Sequence, residues 1–282
     1  NIISIIGLAV GLLCFCVCIY CSRFVESTDH CFANHDRIAE LNLYDGKADR
    51  YFSGSPVPLA EDLRTWALGE TEAISSVTYP RERPYYVELS PEKTLPYELE
   101  TIEIDTCYNK IFTPEMVAGH WKMASQSLNS VILSQSMAIK IFGNAESAIG
   151  KHMTLMRRLN TSPESTPKTG GIVYTIQAVM KDIPLNNSLD FMQNIDMLTV
   201  NDSEGLLQSP KRYNMTGANT YVLLSPQTTC TDLEKQFSKR DYTYTLYGEA
   251  YTVTASSMGA RLKKQGASYL GLVTGTVGTL IL

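Results

Sequence analysis

The sequence predicts an α+β domain that is held between two membrane segments. Helical and strand-like patterns are intermixed along the central part of the chain, and this mixture is typical of the α+β class. Apolar runs occupy both ends, from Ile2 to Tyr20 and from Leu270 to Leu282. The roughly 240 residues between the runs are enough to bury a core, either as one large domain or as two smaller lobes.

The first apolar run has the length of a transmembrane helix. It contains no charged residue and no proline, and about 20 apolar residues span the hydrocarbon core as a helix. A cleavable signal peptide is the alternative, but its apolar region is about 7 to 15 residues long and ends at small residues. This run is longer and ends in the bulky side chains of Val17, Ile19 and Tyr20. We therefore predict an uncleaved first transmembrane helix over residues 1–22.

The second apolar run is still uncharged where the sequence stops. Its 13 residues, LGLVTGTVGTLIL, are fewer than a membrane span needs. We expect residues 268–282 to be the truncated start of a second transmembrane helix. Residues 23–265 are then expected to form the domain between the two helices.

The composition argues against nucleic-acid binding. The net charge is −5 and the isoelectric point is about 5.5, so the chain has no basic field that would attract phosphates. Outside the first apolar run and its end, the cysteines are Cys31, Cys107 and Cys230. An odd number does not indicate a disulfide framework, and the sequence leaves open whether any two of them pair.

Helices and strands are predicted from apolar periodicity and capping residues. Glu26 to Leu41 is polar with spaced apolar positions, which indicates a helix that continues out of the membrane. Pro56 to Leu68, with Ser55 as its cap, and Ser134 to Phe142 are the other predicted helices. The predicted strands are Thr101 to Asp105, Val131 to Leu133, Ile172 to Met180 and Tyr221 to Leu224. Asn160 to Gly171 and Leu206 to Asn214 are predicted as exposed loops.

The sequence from Gly143 to Lys151 is superficially similar to a phosphate-binding loop. It has six residues between its glycines where a P-loop has four, and His152 stands where the magnesium ligand would follow the lysine. We interpret Gly143 as the glycine that ends a helix and Gly150 as a turn glycine before a strand.

A second pair of short motifs is similar to those of penicillin-recognising hydrolases. Ser90 and Lys93 spell the SxxK element, and Lys168-Thr169-Gly170 spells the KTG element. That chemistry needs the serine at the start of a buried helix, whereas this stretch is short, polar and flanked by prolines between predicted strands. We therefore predict no catalytic residue and no enzymatic activity.

Candidate metal and acid-base groups have plainer interpretations. Five residues of metal-ligand type fall in one segment, namely Asp29, His30, Cys31, His35 and Asp36. A structural zinc site needs four donors at recurring spacings, so a solvated stalk helix is predicted instead. The carboxylates of one predicted strand, Glu100, Glu103 and Asp105, are interpreted as a solvated face. No metal and no cofactor is expected.

Small residues in the apolar runs are the candidate functional positions. Gly7 and Gly11 form one GxxxG pattern, and Gly271 and Gly275 form another. Glycines four residues apart let two helices approach closely, so these faces are predicted to pack the stalk helices against each other or against a second protomer. Glycine is also common in membrane helices without such a role, and both interpretations stay open.

Several segments, taken in order, resemble one family. They are IIGLAVGLL, DRIAELN, SGSPVPLAEDL, SVILSQSMAIKIFG with AIGK shortly after it, and YTIQAVMKDIPLNNSLDF. In this order they resemble the periplasmic core domain of MacB/FtsX-type ABC transporter permeases, in the form common in Bacteroidetes. The resemblance covers nearly the whole chain.

The resemblance implies a permease subunit of the bacterial inner membrane with a large periplasmic domain after its first transmembrane helix. It implies a cytoplasmic ABC ATPase as partner, a homodimeric or pseudo-dimeric permease, contact with membrane lipid, and a periplasmic adaptor or substrate. In such families the periplasmic domain does no chemistry and passes ATP-driven movement outward, a behaviour called mechanotransmission. One lobe is often built from both ends of the domain, with a second lobe inserted between them.

A two-span receptor is the alternative from another class. Its periplasmic domain would sense a ligand and signal to a cytoplasmic kinase or methyl-accepting module. Further apolar spans after the second run would indicate a permease, whereas a charged helical linker would indicate a receptor. A tethered hydrolase would lose its activity when Ser90 is changed.

Overall fold

The computed structural model describes residues 2–52, 54–90, 92–155, 171–189, 194–203, 205–208, 216–246, 248–260, 262–264 and 266. Its α-helices are α1 (Ile2–Glu26), α2 (Leu59–Arg64), α3 (Tyr108–Phe112), α4 (Trp121–Gln126), α5 (Gln135–Phe142) and α6 (Cys230–Lys239). Short 3-10 helices lie at His35–Arg37 and Glu146–Ala148.

Strands of one mixed sheet run through the whole domain. The first seven are β1 (Ile38–Asp45), β2 (Arg50–Tyr51), β3 (Ser55–Pro56), β4 (Thr71–Thr78), β5 (Arg81–Ser90), β6 (Lys93–Ile104) and β7 (Met116–Gly119). They are followed by β8 (Ser130–Ser134), β9 (His152–Leu155), β10 (Val173–Met180), β11 (Met197–Val200), β12 (Thr216–Leu224), β13 (Thr243–Leu246) and β14 (Glu249–Ser257).

The first lobe is an antiparallel sheet built from both ends of the domain. Its strands lie in the order β4, β12, β1, β14 and β13. α2 and α6 cover one face of this sheet, where Leu41, Leu63, Val222 and Phe237 belong to one buried cluster. Apolar residues at period two on the strands meet apolar residues at helical spacing, which is how a helix and a sheet bury a shared face.

The second lobe is a closed ring of strands inserted between β4 and β12. The pairings run from β6 through β5, β9, β10, β8 and β11 and return to β6. Tyr85, Leu99 and Ile176 lie in the buried core of the ring, and Ala138 of α5 packs into the same core. Closing the ring leaves these strands without an unpaired edge along the paired stretch.

A third apolar cluster joins the lobes. The second face of the first-lobe sheet contributes Val77 and Tyr221, the ring contributes Leu198, and Phe112 of α3 packs with them. β6 also bridges to β4, with Ile104 opposite Val77. The α+β prediction is confirmed, and the lobes follow the arrangement that the resemblance implies, one built from both ends and one inserted.

Local sequence signals located several elements well. β6, β8, β10 and β12 correspond to the four predicted strands, of which Asp105 and Ile172 alone lie outside the observed bounds, and α5 confirms the helix predicted from Ser134 to Phe142. The Ser134 hydroxyl caps α5 by accepting from the backbone of Met137. Gly143 ends α5 at φ +86°, and Gly150 precedes β9 at φ +78°. The interpretation of both glycines as turn positions is therefore confirmed.

The helix predicted from Glu26 to Leu41 is wrong. α1 ends at Glu26, the chain turns through Asp29 at φ +72°, and β1 begins at Ile38. Ala39, Leu41 and Leu43 are buried at period two on β1. This alternation favours a strand, and burial of the alternating side chains under α2 and α6 outweighs the weaker helical spacing upstream.

The helix predicted from Pro56 to Leu68 is shorter than expected. Ser55 and Pro56 belong to β3, which pairs with β12, and α2 covers only Leu59–Arg64. The Ser55 hydroxyl lies 2.7 Å from the Thr220 hydroxyl in the sheet and does not cap the helix. Pairing with a distant strand therefore replaces the local capping role.

The two predicted loops fall largely outside the described residues. Residues 160–170 of the first loop and residues 209–214 of the second are not described. Leu206, at the start of the second loop, is buried. The prediction of an exposed loop is therefore wrong at Leu206, which packs with Val57 and Ala218.

Candidate functional site

α1 has the properties of a membrane-spanning helix and projects from the domain. Its 25 residues extend about 37 Å as a helix. Within Ile5–Glu26, an 18-residue stretch has a mean hydropathy of 2.5, and none of that stretch is buried against the rest of the described molecule. Large apolar side chains such as Leu8 and Leu12 are exposed, as a lipid-facing surface requires.

The glycines of α1 face open space. A Cβ atom added at Gly7 or Gly11 would meet no other atom within 4 Å. Gly271 and Gly275 lie outside the described residues. The predicted packing of the two glycine pairs therefore stays a prediction, and the described structure leaves the Gly7 and Gly11 face free for a second helix.

The end of α1 is fastened to the loop that follows β10. The Asn186 side-chain amide donates to the Phe24 carbonyl and to the Ser27 hydroxyl, both at 2.8 Å. The Thr28 hydroxyl donates to Asn186 Oδ1 at 3.0 Å, and the Asp29 backbone N–H donates to the Asn186 carbonyl at 3.1 Å. Helix ends leave carbonyl groups unpaired, and here the distant Asn186 satisfies that of Phe24.

Asp29 forms the centre of this connection. Its side chain is 1% exposed, and its Oδ1 accepts from the Ser188 backbone N–H at 2.6 Å and the Ser188 hydroxyl at 2.8 Å. Its Oδ2 has no hydrogen-bond partner in the described part of the chain. Gly259 passes so close that an added Cβ would overlap Oδ2, and its own φ is +69°. Only glycine meets both conditions without strain.

The segment after Gly259 returns to α1. Residues 260, 262–264 and 266 are helical, and the Lys263 N–H donates to the Gly259 carbonyl at 2.9 Å. A Cβ at Gly266 would lie 2.8 Å from a Val25 methyl group. The two segments that lead toward the apolar runs therefore lie side by side. We call the set of Val25, Asp29, Asn186, Ser188 and Gly259 the junction.

The chain after the junction enters the core between the lobes. Phe32 packs edge-to-face on Phe112 of α3, with ring centroids 5.1 Å apart. The Asn34 side chain donates to the Ile111 carbonyl at 3.2 Å. Arg37 Nη1 donates to Glu72 and to the Leu224 carbonyl of the first lobe, both at 2.9 Å. The segment that follows α1 is therefore packed against α3 and against strands of the first lobe.

The predicted stalk segment with metal-ligand residues consists of turns and a short 3-10 helix rather than an α-helix. The rings of His30 and His35 are tilted against each other with centroids 4.4 Å apart, and His35 Nε2 lies 3.2 Å from Asp36 Oδ1. Partial burial, followed by the Asp29 carboxylate, raises the pKa of Cys31 to about 11, which disfavours the thiolate that binds metal. Among the residues that the structure describes, no group of three or more metal-ligand side chains converges. Cys31, Cys107 and Cys230 are all free thiols.

The serine and lysine of the SxxK-like element lie in a β-hairpin. Ser90 ends β5 and pairs with Lys93 at the start of β6. The serine therefore does not begin a helix, as the SxxK chemistry requires. Residues 168–170, which spell the KTG element, lie outside the described part of the chain.

The carboxylates of β6 and of Asp105, which follows it, do not form the solvated face that the alternation predicted. Glu103 is 3% exposed, and a loop from beyond β11 covers it. Asp105 accepts from the Ser75 hydroxyl at 2.7 Å and the Ser76 N–H at 2.9 Å, and it pairs with Arg64. Glu100 is half-buried. The correction is largest at Glu103, because strand alternation shows which side a residue faces but not what covers that side.

The sequence did not single out the residues of the junction as a site, and Asp29 drew notice only as a residue of metal-ligand type. Asn186 and Ser188 fall in a polar stretch, and Gly259 stands in no recognisable motif. Their roles arise from contacts between segments more than 150 residues apart, as the Asp29 to Ser188 separation of 159 shows. One local feature of the sequence agrees with the structure. Position 29 has a positive φ, and aspartate tolerates that region better than most residues.

Comparisons with known proteins agree with this architecture. The MacB-like periplasmic core domain family matches residues 2–240. A domain from Porphyromonas gingivalis, described as part of a permease protein, is 20% identical with a TM-score of 0.59, over 80% of this chain and 93% of that one. The periplasmic region of MacB from Actinobacillus actinomycetemcomitans is 13% identical with a TM-score of 0.51, over 82% of this chain and 92% of that one. No curated protein sequence matches the chain.

The two solved structures share the fold of this domain at low identity, and the family match spans the apolar helix and most of the two lobes. The chain belongs to the MacB-like periplasmic core domain family of ABC-type transporter permeases.

Proposed function

We propose that this chain is a membrane-anchored permease subunit whose periplasmic domain couples ATP hydrolysis by a cytoplasmic ABC ATPase to export or to other work in the periplasm. The observation that carries the proposal is the junction. Three elements meet there: the end of α1, the loop after β10 and the segment after β14. Movement of a membrane helix would therefore reach both lobes through one packed contact.

The stiffness of the junction supports this role. Asn186 and Ser188 contribute several hydrogen bonds to the end of α1 and to Asp29. An intramolecular hydrogen bond contributes about 1 kcal/mol, and more where a charged group takes part. Several such bonds over a few residues resist bending more than a single polar loop would. The helix end is thus coupled to the domain instead of moving independently.

The partners follow from the same proposal. The permease works in the inner membrane as a homodimer or pseudo-dimer, with lipid around α1 and a periplasmic adaptor or substrate on the domain. The free face of Gly7 and Gly11 is the surface on which a second membrane helix packs closely. The proposed role needs no catalysis by the domain, and the position of Ser90 in a hairpin rather than at the start of a helix supports this.

Amide hydrogen exchange on the full chain, purified together with the ATPase that accompanies it, tests the coupling. We expect addition of ATP to change exchange in residues 181–189 and around Phe32. Asn186→Ala should keep ATP hydrolysis and lose this response, because it removes the bonds that hold the end of α1. Asn144→Ala is the matched control, since it removes one bond to the Ser147 N–H in an exposed turn of the second lobe.

Two outcomes would contradict the proposal. The first is an unmodified chain whose periplasmic exchange does not respond to ATP while the partner hydrolyses it. The second is an Asn186→Ala variant that responds as strongly as the Asn144→Ala control.

A further inference from the structure

The end of the domain from which α1 emerges has exposed apolar side chains beside the helix. The apolar run of α1 ends at Tyr20, and the first charged residue after it is Arg23. Tyr20 and Phe24 are both exposed and stack with ring centroids 6.4 Å apart. Tyrosine is enriched where a membrane helix meets the lipid headgroups. Tyr20 therefore marks the level at which α1 leaves the hydrocarbon core.

The loop after β10 lies just beyond this level. We call residues 181–189 the β10 loop. The Asn186 side chain donates to the Phe24 carbonyl at 2.8 Å, and Leu185 is the adjacent residue, with about 3.8 Å between consecutive Cα atoms. Phe24 is four residues beyond Tyr20, or about 6 Å along a helix, and the headgroup layer is about 5 to 8 Å thick on each side of a bilayer. Leu185 is therefore placed in the headgroup layer when α1 spans the membrane.

The tip of the β10 loop is apolar and fixed in place. Pro184 is exposed and Leu185 is 52% exposed, whereas Ile183 packs against the core between the lobes. Asp182 accepts from a backbone N–H at the start of α5 at 2.9 Å, and Ser188 is bonded within the junction. A single exposed leucine is common on protein surfaces. The level of this one beside a membrane helix indicates burial in lipid, which removes its apolar surface from water.

Basic side chains accompany the tip. Arg23 is exposed on α1, and Glu26 lies farther from the apolar run, so the first charge next to the headgroups is positive. The segment that leaves the junction returns to α1 at Gly266, where an added Cβ would lie 2.8 Å from a Val25 methyl group. Lys264 is exposed two residues before that contact, about 3 Å farther from the membrane. A long lysine side chain reaches the headgroups from such a position.

We propose that the tip of the β10 loop is a second membrane contact of this domain: Leu185 enters the headgroup boundary of the periplasmic leaflet, and Arg23 and Lys264 bind lipid phosphates. The proposal rests on the part of the proposed function that anchors α1 in the membrane. A lipid surface fits the tip because the tip continues the lipid-facing surface of α1 and basic side chains lie beside it. A helix alone lets the domain rotate about its axis, whereas a second contact fixes which side of the domain lies on the membrane.

Quenching of tryptophan fluorescence by brominated lipids tests this contact in the full chain in nanodiscs. Leu185→Trp places an indole at the tip, and bromine near the headgroup end of the acyl chains quenches an indole only at close range. We expect its emission to fall when brominated lipids replace unbrominated lipids. Emission of the unmodified chain, which contains two tryptophans, is subtracted.

Leu128→Trp is the matched control. Leu128 is also exposed, and it precedes β8, which runs parallel to β10. It therefore lies at the end of these strands that is opposite to the β10 loop. Its emission should not change with bromination, and equal quenching of Leu128→Trp and Leu185→Trp would overturn the proposal.

The charge of the lipid provides a second test. Zwitterionic lipids in place of anionic lipids should weaken the quenching of Leu185→Trp, because phosphate binding by basic residues holds the tip at the surface. Adding Lys264→Gln should weaken it in anionic lipids. Lys47→Gln, beyond the end of β1 that is far from α1, should not. Quenching that depends neither on lipid charge nor on Lys264 would overturn the role of the phosphates.

Phe15→Trp, at an exposed position of α1, separates this proposal from the proposed function. Quenching of Phe15→Trp without quenching of Leu185→Trp would overturn the loop contact and leave the anchored permease intact. Absence of quenching in both variants would contradict the membrane anchor itself, and the loop contact with it.

Discussion

The junction and β6 each contain a buried carboxylate that accepts hydrogen bonds from a distant loop. At the junction, Asp29 accepts from Ser188, and its second oxygen faces Gly259. On β6, Glu103 accepts from the backbone N–H groups of Leu206 and Leu207, and burial followed by repulsion from Asp202 raises the pKa of Glu103 to about 7. The hydrogen bonds are alike at the two places, but the charge of Glu103 changes near neutral pH, which makes its contribution to stability depend on pH.

The largest effect is expected from substitutions in the membrane helices that lead into the junction. Gly11→Leu and Gly275→Leu add bulk where membrane helices approach closely, while insertion into the membrane stays favourable. We expect normal abundance in the membrane and loss of coupling between ATP hydrolysis by the partner and transport. Assays of both activities in reconstituted vesicles measure this.

Ser90→Ala and His35→Ala are the controls for that experiment. Both should keep coupling, because neither residue lies on the helix faces that carry the movement. Full transport by both leucine variants, together with loss of transport in an alanine variant, would show that a chemical or ligand site does the work.

The next effect concerns the packing of the junction itself. Gly259→Ala places a Cβ against Asp29 at a positive φ, so we expect a loss of about 3 kcal/mol in the free energy of unfolding. Gly143→Ala also changes a glycine at positive φ, but its Cβ would meet nothing within 4 Å. That control should lose only about 1 kcal/mol. Chemical unfolding of the full chain in detergent measures both, and equal losses would mean that the junction is not tightly packed.

A smaller effect concerns Glu103, the buried carboxylate on β6. The pKa of Glu103 is higher in the folded chain than in the unfolded chain, so its contribution favours folding at low pH and fades as the pH rises. Between about pH 5 and about pH 7 the free energy of unfolding should fall by about 2 kcal/mol through this residue. Glu103→Gln should flatten that part of the pH profile, and an unchanged slope would contradict the assignment.

The smallest effect is expected at the hairpin that contains the SxxK-like element. Ser90→Ala should change the free energy of unfolding by less than about 0.5 kcal/mol, as is usual for substitutions near the surface. The unmodified chain should show no esterase activity and no covalent labelling by a β-lactam reporter. Labelling that disappears in Ser90→Ala would reveal an active nucleophile.

Local patterns predicted the elements that local interactions stabilise. Ser134 caps α5, Gly143 ends it, and β10 carries a dense run of β-branched residues, so each signal lies within a few residues of its effect. The stretch from Glu26 to Leu41 was misjudged because a helix, a turn and a strand follow one another within it. Only pairing of β1 with β12 and β14 decides where that strand begins.

The functional regions depend on contacts between distant segments, which a single sequence does not reveal. Alternation along β6 placed Glu103 on the other face of the strand from Ile102 and Ile104. The loop that buries Glu103 is about 100 residues away in the sequence. Asn186 and Gly259 reach the end of α1 from separate parts of the chain in the same way. The sequence could predict which residues were polar at these places, but not which of them meet.

The most direct test of the coupling claim follows the position of the domain above the membrane. The seven native cysteines are first replaced. Leu128, which is exposed on the second lobe, is then changed to cysteine and labelled with a fluorophore. Energy transfer to acceptor lipids is then measured in nanodiscs that also hold the partner ATPase. ATP should change the transfer efficiency in the chain with an intact junction and leave it unchanged in Asn186→Ala. An intact junction without any ATP-dependent change, or the same change in Asn186→Ala, would contradict the claim that the junction carries movement from the membrane to the domain.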